Sequence, residues 1–262
     1  MENQTSTKEN VNKLIEFRQA VYQHGFLARR DALFDLLDAL ICEGPVSSFA
    51  MLSQSSQFQR KWPSLYAAVE DGELDSQWLR TFLARQVPQR GICTFPLDGS
   101  PWPRPSSRVL EDRQYVYQAS SAVNGGTVTV GYLYSLLEWC VEPHSSWCLP
   151  IDPRRVASTQ TAQELGAEQI KAPAEARSDC REALDVVVAD GKYGHAGFPR
   201  SAKGLRSGTL ARLRCDRVLF GPPPPPTPHK KGRPRVHGGR FAFKDPQTWG
   251  APAEVMELED ER

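Results

Sequence analysis

The sequence predicts a mixed α/β core preceded by a small all-α segment, and three observations carry that reading. Apolar residues in the first ninety positions recur at helical spacing. Beyond Pro88 the texture changes to short β-branched and aromatic runs. Two of those runs end on an aspartate followed by glycine, Leu97-Asp98-Gly99 and Ala189-Asp190-Gly191. A short apolar run bounded by a Gly turn reads as a buried strand, and an acid that closes it is expected at the sheet edge, where ligands and metals are commonly bound. Asp98 and Asp190 are thus both expected at strand tips.

The elements follow in order. Residues 11 to 43 read as helical, because Leu33, Leu36, Leu37, Leu40 and Ile41 recur at three- and four-residue steps with Asp35, Asp38 and Glu43 off that stripe. Gly44-Pro45 ends that stretch. Ser47 or Ser48 can cap a second helix towards Ser53, Trp62-Pro63 opens a third through Glu70, and Asp75 caps a fourth through about Arg85. Phe49, Leu52, Leu65, Trp78, Leu79, Phe82 and Leu83 are assigned to the core of this segment.

Strands are expected over 91 to 97, 113 to 118, 127 to 138 and 146 to 151, a meander with Asn124-Gly125-Gly126 as a turn between the second and third. A helix over 161 to 172, extended or followed by another through 180 to 184, leads to a strand over 185 to 189. One further strand, 210 to 220, follows a Gly/Ser-rich loop. Pro222 to Pro226 then form a stiff polyproline II spacer before a basic segment and an acidic tail. The expected division is 1–88 helical, with a possible role in binding nucleic acid, 89–221 mixed α/β, and 222–262 spacer with basic segment, without an internal repeat.

A chain of 262 residues that is 40% hydrophobic and 24% charged has ordinary globular composition, which argues against disorder throughout. Its first ten residues are polar and no apolar run approaches membrane-spanning length, so a cytosolic protein is expected. Six scattered cysteines, Cys42, Cys93, Cys140, Cys148, Cys180 and Cys215, fit reduced thiols. The net charge of +1 conceals an asymmetry: thirteen Lys or Arg stand against Asp216 alone between Lys192 and Lys244. Such a basic block points to a polyanionic partner, because Lys and Arg that displace counterions supply most non-specific nucleic-acid affinity.

Two Asp side chains converging from adjacent strands suit Mg²⁺, a hard cation that prefers carboxylate oxygens and keeps positions open for a phosphodiester. Two such metals, about 3.5–4 Å apart, stabilise the attacking and leaving oxygens of an in-line displacement. Around the two acids, Leu97-Asp98-Gly99-Ser100-Pro101-Trp102-Pro103-Arg104-Pro105, Gly131-Tyr132-Leu133-Tyr134-Ser135, Ser146-Trp147-Cys148-Leu149-Pro150-Ile151-Asp152-Pro153-Arg154-Arg155 and Val188-Ala189-Asp190-Gly191-Lys192-Tyr193-Gly194 occur in this order. Together they resemble the DDE transposases of bacterial insertion sequences, over nearly the whole chain. The resemblance implies a ribonuclease H-like fold, with Asp98 on the first strand of the meander and Asp190 after the fourth strand as catalytic, metal-binding residues. It implies two Mg²⁺, with Mn²⁺ as substitute, and DNA as partner at both transposon ends and target. It further implies a transposase homo-oligomer and a place in the bacterial cytoplasm near the nucleoid. The family's third carboxylate, a Glu on a helix beyond a β-rich insertion, has no counterpart in the seventy-two residues after Asp190. Glu254, Glu257 and Glu259 resemble the start of that insertion, so an incomplete ribonuclease H-like core and a truncated transposase are expected.

Lesser signals complete the reading. His229-Lys230-Lys231-Gly232-Arg233-Pro234-Arg235 resembles an AT-hook core, in which arginines enter a narrow A·T minor groove, and equally suits a basic loop on phosphates. DNA contacts are therefore expected from Lys230, Lys231, Arg233 and Arg235, and near the acids from Arg104 and Lys192. Tyr193 is a candidate phosphate contact beside Lys192. Cys140, His144 and Cys148 have zinc-like spacing but lack a fourth ligand, so packing is the preferred reading. His195 receives no role, since metals can activate water unaided. Trp102 and Trp147 are read as core or rim packing. Three functions follow: a transposase that cleaves and joins DNA strands, impaired by the missing acid; a DNA-binding remnant that does not cut; and a haloacid-dehalogenase-like phosphohydrolase. The last is disfavoured because Asp98-Gly99-Ser100 lacks a second Asp two residues on.

Overall fold

A computed structural model describes residues 2–46, 48–118, 127–142, 146–194, 197–225, 232–233, 235–252 and 254–255. The expected turn at Asn124-Gly125-Gly126, and His144, His195, Lys230, Lys231, Glu257 and Glu259, lie outside the described residues.

The N-terminal segment comprises α1 (Glu2–His24), β1 (Phe26–Ala28), α2 (Arg30–Cys42), α3 (Phe49–Leu52), α4 (Trp62–Asp71), β2 (Glu73–Leu74) and α5 (Ser76–Ala84). The single helical stretch expected over 11 to 43 is two helices. Gly25 turns the chain closely, since a Cβ there would stand 2.7 Å from the Val21 carbonyl oxygen, and Arg29 adopts a left-handed φ of 53° before α2. Between them β1 pairs antiparallel with β2, so the segment is mostly rather than wholly helical. Leu36, Ala39, Leu52, Phe58 and Leu65 close a small core there. The Asp75 carboxylate accepts the Trp78 N–H at 2.8 Å and caps α5, satisfying one of the donors a helix start leaves free.

The principal sheet is built from β3 (Arg90–Pro103), β4 (Gln114–Tyr117), β5 (Val128–Cys140), β6 (Cys148–Val156), β7 (Glu182–Ala189) and β8 (Gly208–Ala211). Its order is β4-β5-β3-β7-β8, with β6 sharing β5's outer edge with β4. The β3–β5, β4–β5 and β5–β6 pairs are antiparallel, whereas β3–β7 and β7–β8 are parallel. Helices α6 (Ala162–Gln169), α7 (Lys171–Ala176) and α8 (Gly197–Ser201) connect these strands. The expected strand over 210 to 220 is two: β8 in the sheet, and β9 (Val218–Phe220), which pairs antiparallel with β10 (Arg240–Ala242) in a separate ribbon. A 3-10 turn, Pro246–Thr248, follows.

Side chains alternate across each strand. Odd positions of β3, β5 and β7, including Cys93, Phe95, Leu97, Leu137, Val187 and Ala189, enter the main core with Leu165 and Ile170. Ala84 and Val87 join the same core, so α5 packs with the sheet although the sequence division put it in the helical segment. Even positions face the other way. There Ile92, Leu184 and Leu210 remain 74%, 51% and 62% exposed, so this face has no covering layer among the described residues.

Candidate active site

Leu97 and Ala189 are the last partners of the parallel β3–β7 pairing, and Asp98 and Asp190 are the next residues on each chain. Parallel neighbours lie about 4.8 Å apart, so the two exposed acids stand side by side at the uncovered face. Asp98 Oδ1 accepts the Gly99 N–H at 2.7 Å, and Asp190 Oδ1 accepts the Lys192 N–H at 2.9 Å. Among the described residues neither carboxylate forms an ion pair.

Asp190 follows the end of β7, but Asp98 is not at a strand tip, because β3 continues to Pro103 on β5 alone. Pro101 and Pro103 make that run look unlike a strand, since proline cannot donate to a ladder. The Arg104 N–H donates to the Val130 carbonyl at 2.8 Å, so by two-residue alternation positions 101 and 103 direct their nitrogens to the opposite edge. Among the described residues no strand lies there once β7 has ended, and no ladder bond is lost.

A buried network supports the pair. Tyr193 is fully buried with its hydroxyl 2.9 Å from Ser135 Oγ, and Ser135 Oγ donates to Gln169 Oε1 at 2.6 Å. Gln169 Nε2 donates in turn to the Ser135 carbonyl at 3.0 Å and to the Asp152 carbonyl. These bonds join the turn after β7 to α6, β5 and β6. Burial pushes the Tyr193 hydroxyl up to about 12, and the charges of Asp98 and Asp190 push the same way. Tyr193 is thus a neutral support, which corrects its expected place at a phosphate. A Cβ on Gly166 would come 2.8 Å from Tyr193 Cε1 and 2.9 Å from Leu97 Cδ2, so only glycine lets α6 approach this closely.

Cations border the acids. The exposed Lys192 side chain reaches β3 at Gly99, on the face opposite the Asp98 side chain, its Nζ only 2.9 Å from where a Gly99 Cβ would stand. Arg104 stacks its guanidinium 4.1 Å from the Trp102 ring centroid, and Trp102 shares Asp98's face of β3. Trp102 is 47% exposed and packs against Tyr134, which places it at a rim. Sequence reasoning missed Arg212. Ala211 pairs with Ala189, and the Arg212 N–H continues the ladder to the Ala189 carbonyl at 2.9 Å, so Asp98, Asp190 and Arg212 succeed one another across three neighbouring strands. Basic residues after a strand were visible, but reading 210 to 220 as one strand hid where it ended.

Arg233 and Arg235 are exposed in the connection between β9 and β10, outside the principal sheet. Glu254 is exposed and outside any helix or strand. Among the described residues no group of three or more His, Cys, Asp or Glu could hold a metal. The oxygen donors of Asp98 and Asp190 fit a hard divalent cation in kind.

A mixed sheet that sets two carboxylates side by side on parallel strands, bordered by cations, defines the class of architecture. The family model of the DDE superfamily endonucleases matches residues 22–262, and the chain belongs to that family. The mixed sheet is consistent with its ribonuclease H-like fold. No curated protein matches the chain. No described helix is long and apolar enough to cross a membrane.

Proposed function

We propose that this protein is a transposase of the bacterial insertion-sequence kind, whose Asp98 and Asp190 hold divalent metal for DNA strand cleavage and strand transfer. The observation that carries the reading is the pair of acids one residue beyond the Leu97–Ala189 partners, in a chain of the DDE endonuclease family. Asp98 and Asp190 would each offer carboxylate oxygen to Mg²⁺, or to Mn²⁺ in its place. When bound, the metal supplies charge stabilisation at the attacking and leaving oxygens of a phosphodiester. Arg212 flanks the acids and Lys192 follows Asp190 in the turn after β7, and both attract the phosphates, while Arg104 on Trp102 meets the backbone further along β3. Lys230, Lys231, Arg233 and Arg235 add affinity at a distance from the pair. Work on genomic DNA implies the bacterial cytoplasm at the nucleoid, and joining two ends implies a homo-oligomer.

Two acids without a third among the described residues favour weak chemistry by this chain alone. Without a third carboxylate at the pair, the protein acts as a DNA-binding member of its family. The test uses a labelled duplex. Salt-sensitive binding is expected, with nicking in Mg²⁺ or Mn²⁺ absent or very weak. Mn²⁺ binding measured by calorimetry should be lost in Asp98→Asn and Asp190→Asn while DNA affinity is kept. Strong nicking by the wild-type chain that disappears in both variants would overturn the incomplete-site reading. Absence of salt-sensitive DNA binding would overturn the transposase reading itself.

A further inference from the structure

Cys140 closes β5, Cys148 opens β6, and the two are direct partners across the antiparallel hairpin. Immediately beyond them the Val141 N–H donates to the Trp147 carbonyl at 3.4 Å. Hydrogen-bonded and non-hydrogen-bonded pairs alternate along such a ladder, so Cys140 and Cys148 form a non-hydrogen-bonded pair, with Cα atoms about 4.5 Å apart and side chains at their closest. That spacing lies within the roughly 4.4–6.8 Å that a disulfide spans. The sulfur atoms are 3.9 Å apart and both residues are half-buried, within reach of a small oxidant.

We propose that Cys140 and Cys148 are a dithiol that a peroxide converts into a reversible cross-strand disulfide on the β5–β6 hairpin. One thiolate attacks the peroxide O–O bond, giving a sulfenic acid and releasing hydroxide. The second thiolate then attacks the sulfenic sulfur, forming the S–S bond and expelling a second hydroxide. The protons given up by the two thiols convert both hydroxides to water, so two thiols and one hydrogen peroxide yield one disulfide and two waters. A small thiol reverses the reaction by exchange.

The location gives the disulfide a consequence. β5 carries Ser135, which holds Tyr193, and Leu136, the partner of Asp98, while β6 carries the Asp152 carbonyl that anchors Gln169. A staple at the end where β5 passes into β6 fixes the register of the two strands that carry these contacts. Burial, reinforced by the adjacent Cys140 thiol and Glu138, pushes the Cys148 thiol up to about 11. The thiolate is the nucleophile, so closure accelerates as pH rises from 7 to 9.

The experiment treats the full-length chain with hydrogen peroxide, alkylates the remaining thiols and digests it without reductant. Trypsin leaves both cysteines within residues 114–154, whereas chymotryptic cleavage after Trp147 separates them. The expected product after the second cut is a Cys140 peptide joined to a Cys148 peptide, released by a reducing thiol. In Cys148→Ser no linked pair forms and Cys140 is recovered alkylated or as a sulfenic acid. A Cys42→Ser, Cys215→Ser background removes exposed thiols that could cross-link molecules, and linkage should persist there. Recovery of both cysteines alkylated after peroxide, or joined only to other cysteines, overturns the proposal.

Discussion

Arg177 joins the segment after α5 to the sheet. Its side chain is 1% exposed and donates to the carbonyls of Val87 at 2.8 Å and Pro88 at 2.9 Å. Nε and Nη2 reach the two Asp185 oxygens at 2.9 and 2.8 Å, the two-pronged geometry that a planar guanidinium alone provides. Removing one member of such a buried pair leaves the other charge unpaired, so Arg177→Ala should cost about 3–5 kcal/mol in urea unfolding. Arg177→Lys should recover only part of it. By contrast Tyr193→Phe removes a single neutral hydrogen bond and should cost about 1 kcal/mol, leaving Mn²⁺ affinity unchanged by calorimetry. Asp98 and Asp190 were legible because each ends a local apolar run. Arg177, Ser135 and Gln169 were not, since their partners lie far off in sequence and no local pattern records them.

At the scale of elements, α6 positions the support beneath the acids and its start is well defined. Thr161 and Glu164 form a reciprocal capping box, the Glu164 N–H donating to Thr161 Oγ1 at 3.3 Å and the Thr161 N–H to Glu164 Oε2 at 2.8 Å. Thr161→Ala should destabilise the protein by about 1 kcal/mol, read from the shift in the unfolding midpoint. The Thr161 N–H and hydroxyl hold the Glu164 carboxyl below its ordinary range. A depressed folded pKa makes this contribution complete above the unfolded carboxylate value and lost as pH falls through the depressed one. The stability difference between wild type and Thr161→Ala should therefore shrink on acidification. Gly166→Ala places a methyl against Tyr193 and Leu97, and its expected cost of about 1–3 kcal/mol should come with weakened Mn²⁺ binding as the turn after β7 shifts. The break between α1 and α2 escaped the sequence because the spacing of Leu33 to Ile41 describes only the second helix. β3 was read as ending too early because its prolines are harmless only at positions whose nitrogens face an unpaired edge.

Across the whole molecule the two faces of the sheet differ. Helices cover the odd face, while Ile92, Leu184 and Leu210 stand exposed on the even face that also carries Asp98 and Asp190. A patch of this kind favours association. Replacing Ile92, Leu184 and Leu210 by threonine should lower binding of a hydrophobic dye and concentration-dependent light scattering, while far-UV circular dichroism stays unchanged. The sequence by itself determined the order of strands and helices, the two acids and the concentration of basic charge, because periodicity, turn residues and charge are written locally along the chain. Only the tertiary structure decided that the acids stand in one register, that Arg212 continues their row, that Tyr193 is buried beneath them and that α5 belongs to the main core. Those outcomes depend on strand pairing and packing between residues distant in sequence, and a single strand carries no mark of its neighbour's register.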